Sequence, residues 1–90
     1  MLDISEHTRK FINKLQSKEY KQIVGKLFDL SNDPVPTDSK HLSGRPGYLR
    51  VDSGEYRILY TFEKSITRIE LIGKRNDDEF YDELERLVRK

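Results

Sequence analysis

Ninety residues, 34% apolar and 37% charged with a formal charge of +1, suffice for one domain (residues 1–90) around one modest core and leave no room for a second module. The sequence holds no cysteine, which excludes disulfides, thiolate metal sites and thiol nucleophiles and makes a reducing cytoplasm the expected setting. Its apolar runs are only a few residues long, too short for a signal peptide or a membrane span, so a soluble cytoplasmic protein is expected.

Met1 to Ile4 could form a very short edge strand. From Ser5, the residues Phe11, Ile12 and Leu15 fall at helical spacing, and Ser5 or Asp3 can cap the first turn, which predicts a helix over residues 5–16. After a polar break at residues 16–18, Tyr20, Ile23, Val24, Leu27 and Phe28 recur at steps of three and four and paint one face of a second helix. It should stop at Ser31-Asn32-Asp33-Pro34, where proline restricts the residue before it. Two such helices make a hairpin that needs an apolar surface to cover.

Residues 34–47, with three prolines and two glycines, read as a loop. Beyond it Tyr48–Asp52, Glu55–Phe62 and Ile66–Ile72 are rich in β-formers and separated by Ser53-Gly54 and Glu63-Lys64-Ser65, the pattern of an antiparallel three-stranded meander. In the middle strand Tyr56, Ile58, Tyr60 and Phe62 share a face that the helices should cover; Glu55, Arg57, Leu59 and Thr61 share the other. A last helix is expected over residues 77–90, with Phe80, Leu84, Leu87 and Val88 on one side. The fold class is α+β: an N-terminal helical hairpin on an antiparallel sheet of three to four strands, with a C-terminal helix.

Charge is uneven along the chain. Residues 40–75 hold eight basic and four acidic side chains, whereas residues 76–90 hold three basic and six acidic. A basic middle of this kind suits either a phosphate-binding surface or a solvated sheet face. On the meander Arg50, Arg57 and the strand end at Lys74-Arg75 become neighbours, and Tyr81 follows near the start of the last helix. Arginine donates paired hydrogen bonds to phosphate and stays charged, and a tyrosine among cations can serve as base or proton relay. Taken singly, each arginine reads equally as a surface charge paired with Asp52, Glu55 or Glu70, and Tyr81 as an amphipathic residue at the edge of the core. His7 and His41 are isolated and lack ligand spacing, and Asp77-Asp78-Glu79 suits a helix N-terminus better than a metal, so neither metal nor cofactor is expected.

Leu42-Ser43-Gly44, Tyr48-Leu49-Arg50-Val51, Gly54-Glu55-Tyr56-Arg57-Ile58-Leu59-Tyr60 and Ile72-Gly73-Lys74-Arg75 with Tyr81 together resemble the RelE/ParE toxin superfamily, and within it the RelE-like mRNA interferases. The resemblance runs from about Ile4 to Leu84. It implies the RelE-like microbial RNase fold and a toxin that enters the ribosomal A site and cuts mRNA there by attack of the 2′-hydroxyl on the scissile phosphate. It also implies a cognate antitoxin protein as partner, besides the ribosome and mRNA. Arg57 would bind the scissile phosphate, Arg75 stabilise the transition state and Tyr81 assist activation of the 2′-hydroxyl, with Arg50, Lys74, Arg45 and Lys40 as RNA contacts. Where several RelE-type toxins carry two lysines on the first meander strand, this chain has Arg50 and Asp52. The ParE branch, which shares the fold and inhibits DNA gyrase, and a non-catalytic antitoxin-binding member are the alternatives.

Overall fold

The computed structural model describes residues 1–42, 44–75 and 78–88, without the side chains of residues 78, 79, 87 and 88. The expected contributions of Ser43, of the carboxylates at 77–79 and of Leu87 and Val88 therefore lie outside the described residues. Strand β1 (Leu2–Ile4) is followed by helices α1 (Glu6–Asn13) and α2 (Ser17–Asn32), strands β2 (Lys40–His41), β3 (Tyr48–Ser53), β4 (Tyr56–Glu63) and β5 (Ile66–Lys74), and helix α3 (Asp78–Val88). The sheet runs β1-β5-β4-β3-β2. It has five strands where the sequence suggests three or four, and it is mixed, because β1 pairs in parallel with β5 while the other pairs are antiparallel.

Ser5 sets the start of α1. Its backbone is extended and its Oγ accepts the Thr8 amide at 3.1 Å, while the same Oγ lies 2.9 Å from the Glu70 carbonyl and so ties the cap to β5. Asp3, the other capping candidate, is instead ion-paired with Arg68. The helix ends at Asn13, short of residue 16, in tight turns from the Lys14 and Leu15 amides to the Phe11 and Ile12 carbonyls. In α2 the buried arc is Ile23, Leu27 and Leu30, turned from the expected one. Tyr20 and Phe28 are exposed, Phe28 by 62%, because the arc that packs on the sheet is centred on Ile23, Leu27 and Leu30.

The helix-covered face of the sheet holds Leu49, Val51, Tyr56, Ile58, Tyr60, Ile69 and Ile72, packed on Ile12, Ile23, Leu27 and Leu30. Phe62, expected there, is 41% exposed at the far end of β4, where burial along the strand gives out. Strand β5 breaks simple alternation. Leu59 pairs with Leu71 and Tyr60 with Ile69, which leaves Glu70 as an extra residue, a β-bulge. The bulge lets Ile69 and Ile72 both face the main core while Leu71 turns to the opposite face, where Leu59, Leu71, Phe80 and Leu84 form a second, smaller cluster.

Burial pushes the Glu70 carboxyl above the usual carboxylate range; Arg68 opposes the shift and Asp3 adds to it. The folded state thus holds this proton more tightly than the unfolded chain, so the contribution to stability is complete at low pH and is lost as pH rises through the folded value. Glu70→Gln is expected to raise Tm by about 2–5 °C at pH 7, a fraction of 1 kcal/mol for a domain of this size, and to change nothing near pH 3. Melting curves at the two pH values check this.

Candidate functional site

The face of the sheet away from α1 and α2 carries the basic side chains. Arg50 lies opposite Leu59 and Asp52 opposite Arg57 in the β3–β4 register, so these four share one face. Helix α3 covers only part of it, through Phe80 and Leu84. The remainder is an open cleft of about 270 Å³ with an apolar floor of Leu42, Leu59, Phe80 and Leu84 and a polar rim of His41, Arg50, Arg57 and Tyr81.

Gly73 allows α3 to approach this closely. A Cβ there would stand 2.7 Å from Phe80 Cδ1 and 3.0 Å from Phe80 Cβ, so any larger residue pushes the helix off the strand. Gly73→Ala is expected to cost about 1–3 kcal/mol by overpacking, lowering Tm by at least about 4 °C in a thermal melt.

Arg57 and Tyr81 line the cleft, and Arg75 stands beside them. The Arg57 Nη1 donates to the Tyr81 hydroxyl oxygen at 2.7 Å, and that hydroxyl lies 3.4 Å from the Arg75 carbonyl oxygen. Edge-to-face packing of Phe80 against Tyr81, with centroids 5.4 Å apart, holds the phenol ring above the strand end. Arg75 follows the last residue of β5 and is still anchored to the sheet, since its amide donates to the Glu55 carbonyl at 2.9 Å. Asp52 joins the two cations: Oδ1 accepts from Arg57 Nε at 3.0 Å, and Oδ2 is 3.4 Å from Arg75 Nε. The Asp52 hydrogen bond, reinforced by the charges of Asp52 and the Tyr81 phenol, holds the Arg57 guanidinium above its usual range despite partial burial. Arg57 remains a cation at every physiological pH.

The fold brings some other expected contacts to this face and leaves one away from it. Lys40 is the register partner of Arg50, so the two cations stand side by side on neighbouring strands. Arg45 is paired instead with Glu85 of α3, at 3.4 Å. Lys74 pairs with Tyr56 and therefore falls on the opposite face from Arg57. His7 is exposed on α1. His41 also lines the cleft, although its register partner Leu49 faces the main core, so strand alternation alone does not reveal it. Among the described residues no three His, Asp or Glu side chains gather as a metal site.

No protein-family model and no curated protein matches the chain. Solved structures do. An arginine-substituted mutant of the E. coli toxin RelE in the free state superposes with a TM-score of 0.75 at 25% identity, covering 97% of this chain and 96% of that one. The chain has the fold of the RelE toxins. The intact E. coli RelBE toxin–antitoxin complex matches with a TM-score of 0.73 at 25% identity over 86% of this chain and 98% of that one. For the archaeal RelE–RelB complex from Pyrococcus horikoshii the TM-score is 0.73 at 22% identity over 83% and 93%. The RelE fold accounts for the architecture from β1 to α3; the positions of Arg57, Arg75 and Tyr81 on it are read from this chain's own side chains.

Proposed function

We propose that this protein is the toxin of a toxin–antitoxin pair and a ribosome-dependent endoribonuclease that cuts mRNA in the ribosomal A site. The observation that carries the reading is the convergence of Arg57, Arg75 and Tyr81 beside an open cleft that Arg57 and Tyr81 line, linked by the 2.7 Å Arg57–Tyr81 hydrogen bond and the shared Asp52. The likeness to RelE toxins and RelBE complexes supports the coarser half, a toxin with a cognate antitoxin protein.

In the reaction, the ribose 2′-oxygen forms a bond to the adjacent phosphorus and the bond from phosphorus to the 5′-oxygen breaks, giving a 2′,3′-cyclic phosphate and a 5′-hydroxyl. The 2′-hydroxyl surrenders its proton and the leaving oxygen gains one. Arg57, fixed by two hydrogen bonds, holds the scissile phosphate; Arg75 stabilises charge on the phosphorane oxygens and on the leaving group, a task suited to pre-organised donors. The Tyr81 hydroxyl, oriented by Arg57, sits where a 2′-proton can be accepted or passed on. Arg50 and Lys40 bind flanking phosphates, and the need for a 2′-hydroxyl confines cutting to RNA. No step calls for a metal or cofactor.

The test is primer extension on an mRNA being translated by purified ribosomes, with naked RNA alongside. Cuts confined to ribosome-bound message are the expected result. A folded, antitoxin-binding protein that cuts neither RNA sends the assignment to the gyrase-inhibiting branch, which a supercoiling assay reads.

A further inference from the structure

We infer that Asp52 is a resident anion of the arginine site, an intramolecular carboxylate that occupies the place of a substrate phosphate and limits how tightly one binds. The inference rests on reading the cleft as a phosphodiester site. One Asp52 oxygen meets Arg57 Nε at 3.0 Å and the other lies 3.4 Å from Arg75 Nε, so a single carboxylate spans the two guanidinium groups as two non-bridging phosphate oxygens would. It reaches this place because Asp52 is the cross-strand partner of Arg57, side chain beside side chain on the open face.

The two arms differ. Arg57 is the shorter contact and its side chain is only 17% exposed, whereas Arg75 is the longer contact and 49% exposed; Asp52 itself is 36% exposed. An arriving phosphate therefore displaces Asp52 from Arg75 first, freeing that guanidinium for the ligand while Arg57 stays oriented by the carboxylate. Until then one negative charge offsets part of the field of Arg50, Arg57 and Arg75, and the phosphate is repelled at short range by the carboxylate it displaces. A purely orienting Asp52 would have the opposite sign: its loss would loosen Arg57 and weaken binding.

The experiment is fluorescence anisotropy with a labelled, non-cleavable 2′-O-methyl RNA oligonucleotide across a salt series, comparing wild type, Asp52→Asn and Asp52→Ser, each confirmed folded by its melting curve. The neutral variants are expected to bind about five- to tenfold more tightly at low salt, the effect of removing one like charge at contact distance near a surface. Their salt dependence should steepen by up to about 0.7 in log–log slope, one more effective phosphate contact on a single strand. The gain should disappear when Arg75→Ala is added. Unchanged or weaker binding by both variants overturns the inference and leaves Asp52 as an orienting partner of Arg57. The two readings fail separately: tighter binding by Asp52→Asn beside a wild type that cuts no ribosomal mRNA sinks only the nuclease. A cutting wild type with no gain in either variant sinks only the resident anion.

Discussion

Alanine in place of Arg75 is expected to lower ribosome-dependent cleavage by about 100- to 1,000-fold, the usual cost of removing one pre-organised donor from a developing negative charge. Stability should barely move, because the side chain is half exposed and its pairing with Asp52 is a surface contact. Arg57→Ala should lose activity on the same scale and also a little stability, since Asp52 and the Tyr81 hydroxyl each lose their shorter contact and keep only the longer one to Arg75. Arg57→Lys keeps the charge but not the fork that serves both partners, so it should recover little of the rate. Tyr81→Phe is the most discriminating change: the ring can keep its packing on Phe80 while the hydroxyl alone is removed. A loss of about 100-fold with an unchanged melting temperature is expected if that hydroxyl handles a proton. Primer extension and melting curves on the same preparations read both quantities. Wild-type cutting by all four variants would remove the site from the cleft.

Tyr60 should give the largest stability effect in the molecule. It is fully buried at the centre of the helix-covered sheet face, and its hydroxyl donates to the Pro34 carbonyl at 2.7 Å, so one side chain fills the core and fastens the loop that leaves α2. Burial pushes its phenol above the ordinary tyrosine range. Tyr60→Phe keeps the volume but deprives the Pro34 carbonyl of its donor, at an expected cost of about 1–2 kcal/mol. Tyr60→Ala removes the ring as well and is expected to cost about 3–5 kcal/mol, a large share of the stability of a domain this small. Urea titration checks the series. A loss in Tyr60→Phe as large as that in Tyr60→Ala would mean that the hydrogen bond, and not the packing, holds this region.

The helices and the meander were legible because each depends on local periodicity. Ile23 and Leu27 mark a helix and Tyr56, Ile58 and Tyr60 mark a strand whatever lies opposite them. The β4–β5 turn was legible too, although Lys64 and Ser65 both take positive φ angles that sequence preference would assign to asparagine and glycine. The parallel pairing of β1 and the two-residue β2 were harder, because short strands are defined by partners far along the chain. The buried arc of α2 differs for a related reason: an amphipathic pattern gives a stripe, but how the helix is docked on the sheet selects which residues of the stripe are buried.

Of the candidate site, the sequence by itself determined the ingredients: Arg50, Arg57, Arg75 and Tyr81 in an order and spacing that resemble one toxin superfamily, and a face of β4 opposite the helix-covered core. Tertiary structure alone decided how they combine. The register of β3 on β4 set Asp52 beside Arg57, the bulge at Glu70 turned Leu71 outward to seat Phe80, and the bare backbone of Gly73 let α3 come close enough to bring Tyr81 onto Arg57. The physical reason is that residue type and period follow from local sterics and hydrophobicity, which each segment carries with it. Register, bulges and close approach depend instead on contacts between segments, and those are fixed only when the whole chain packs.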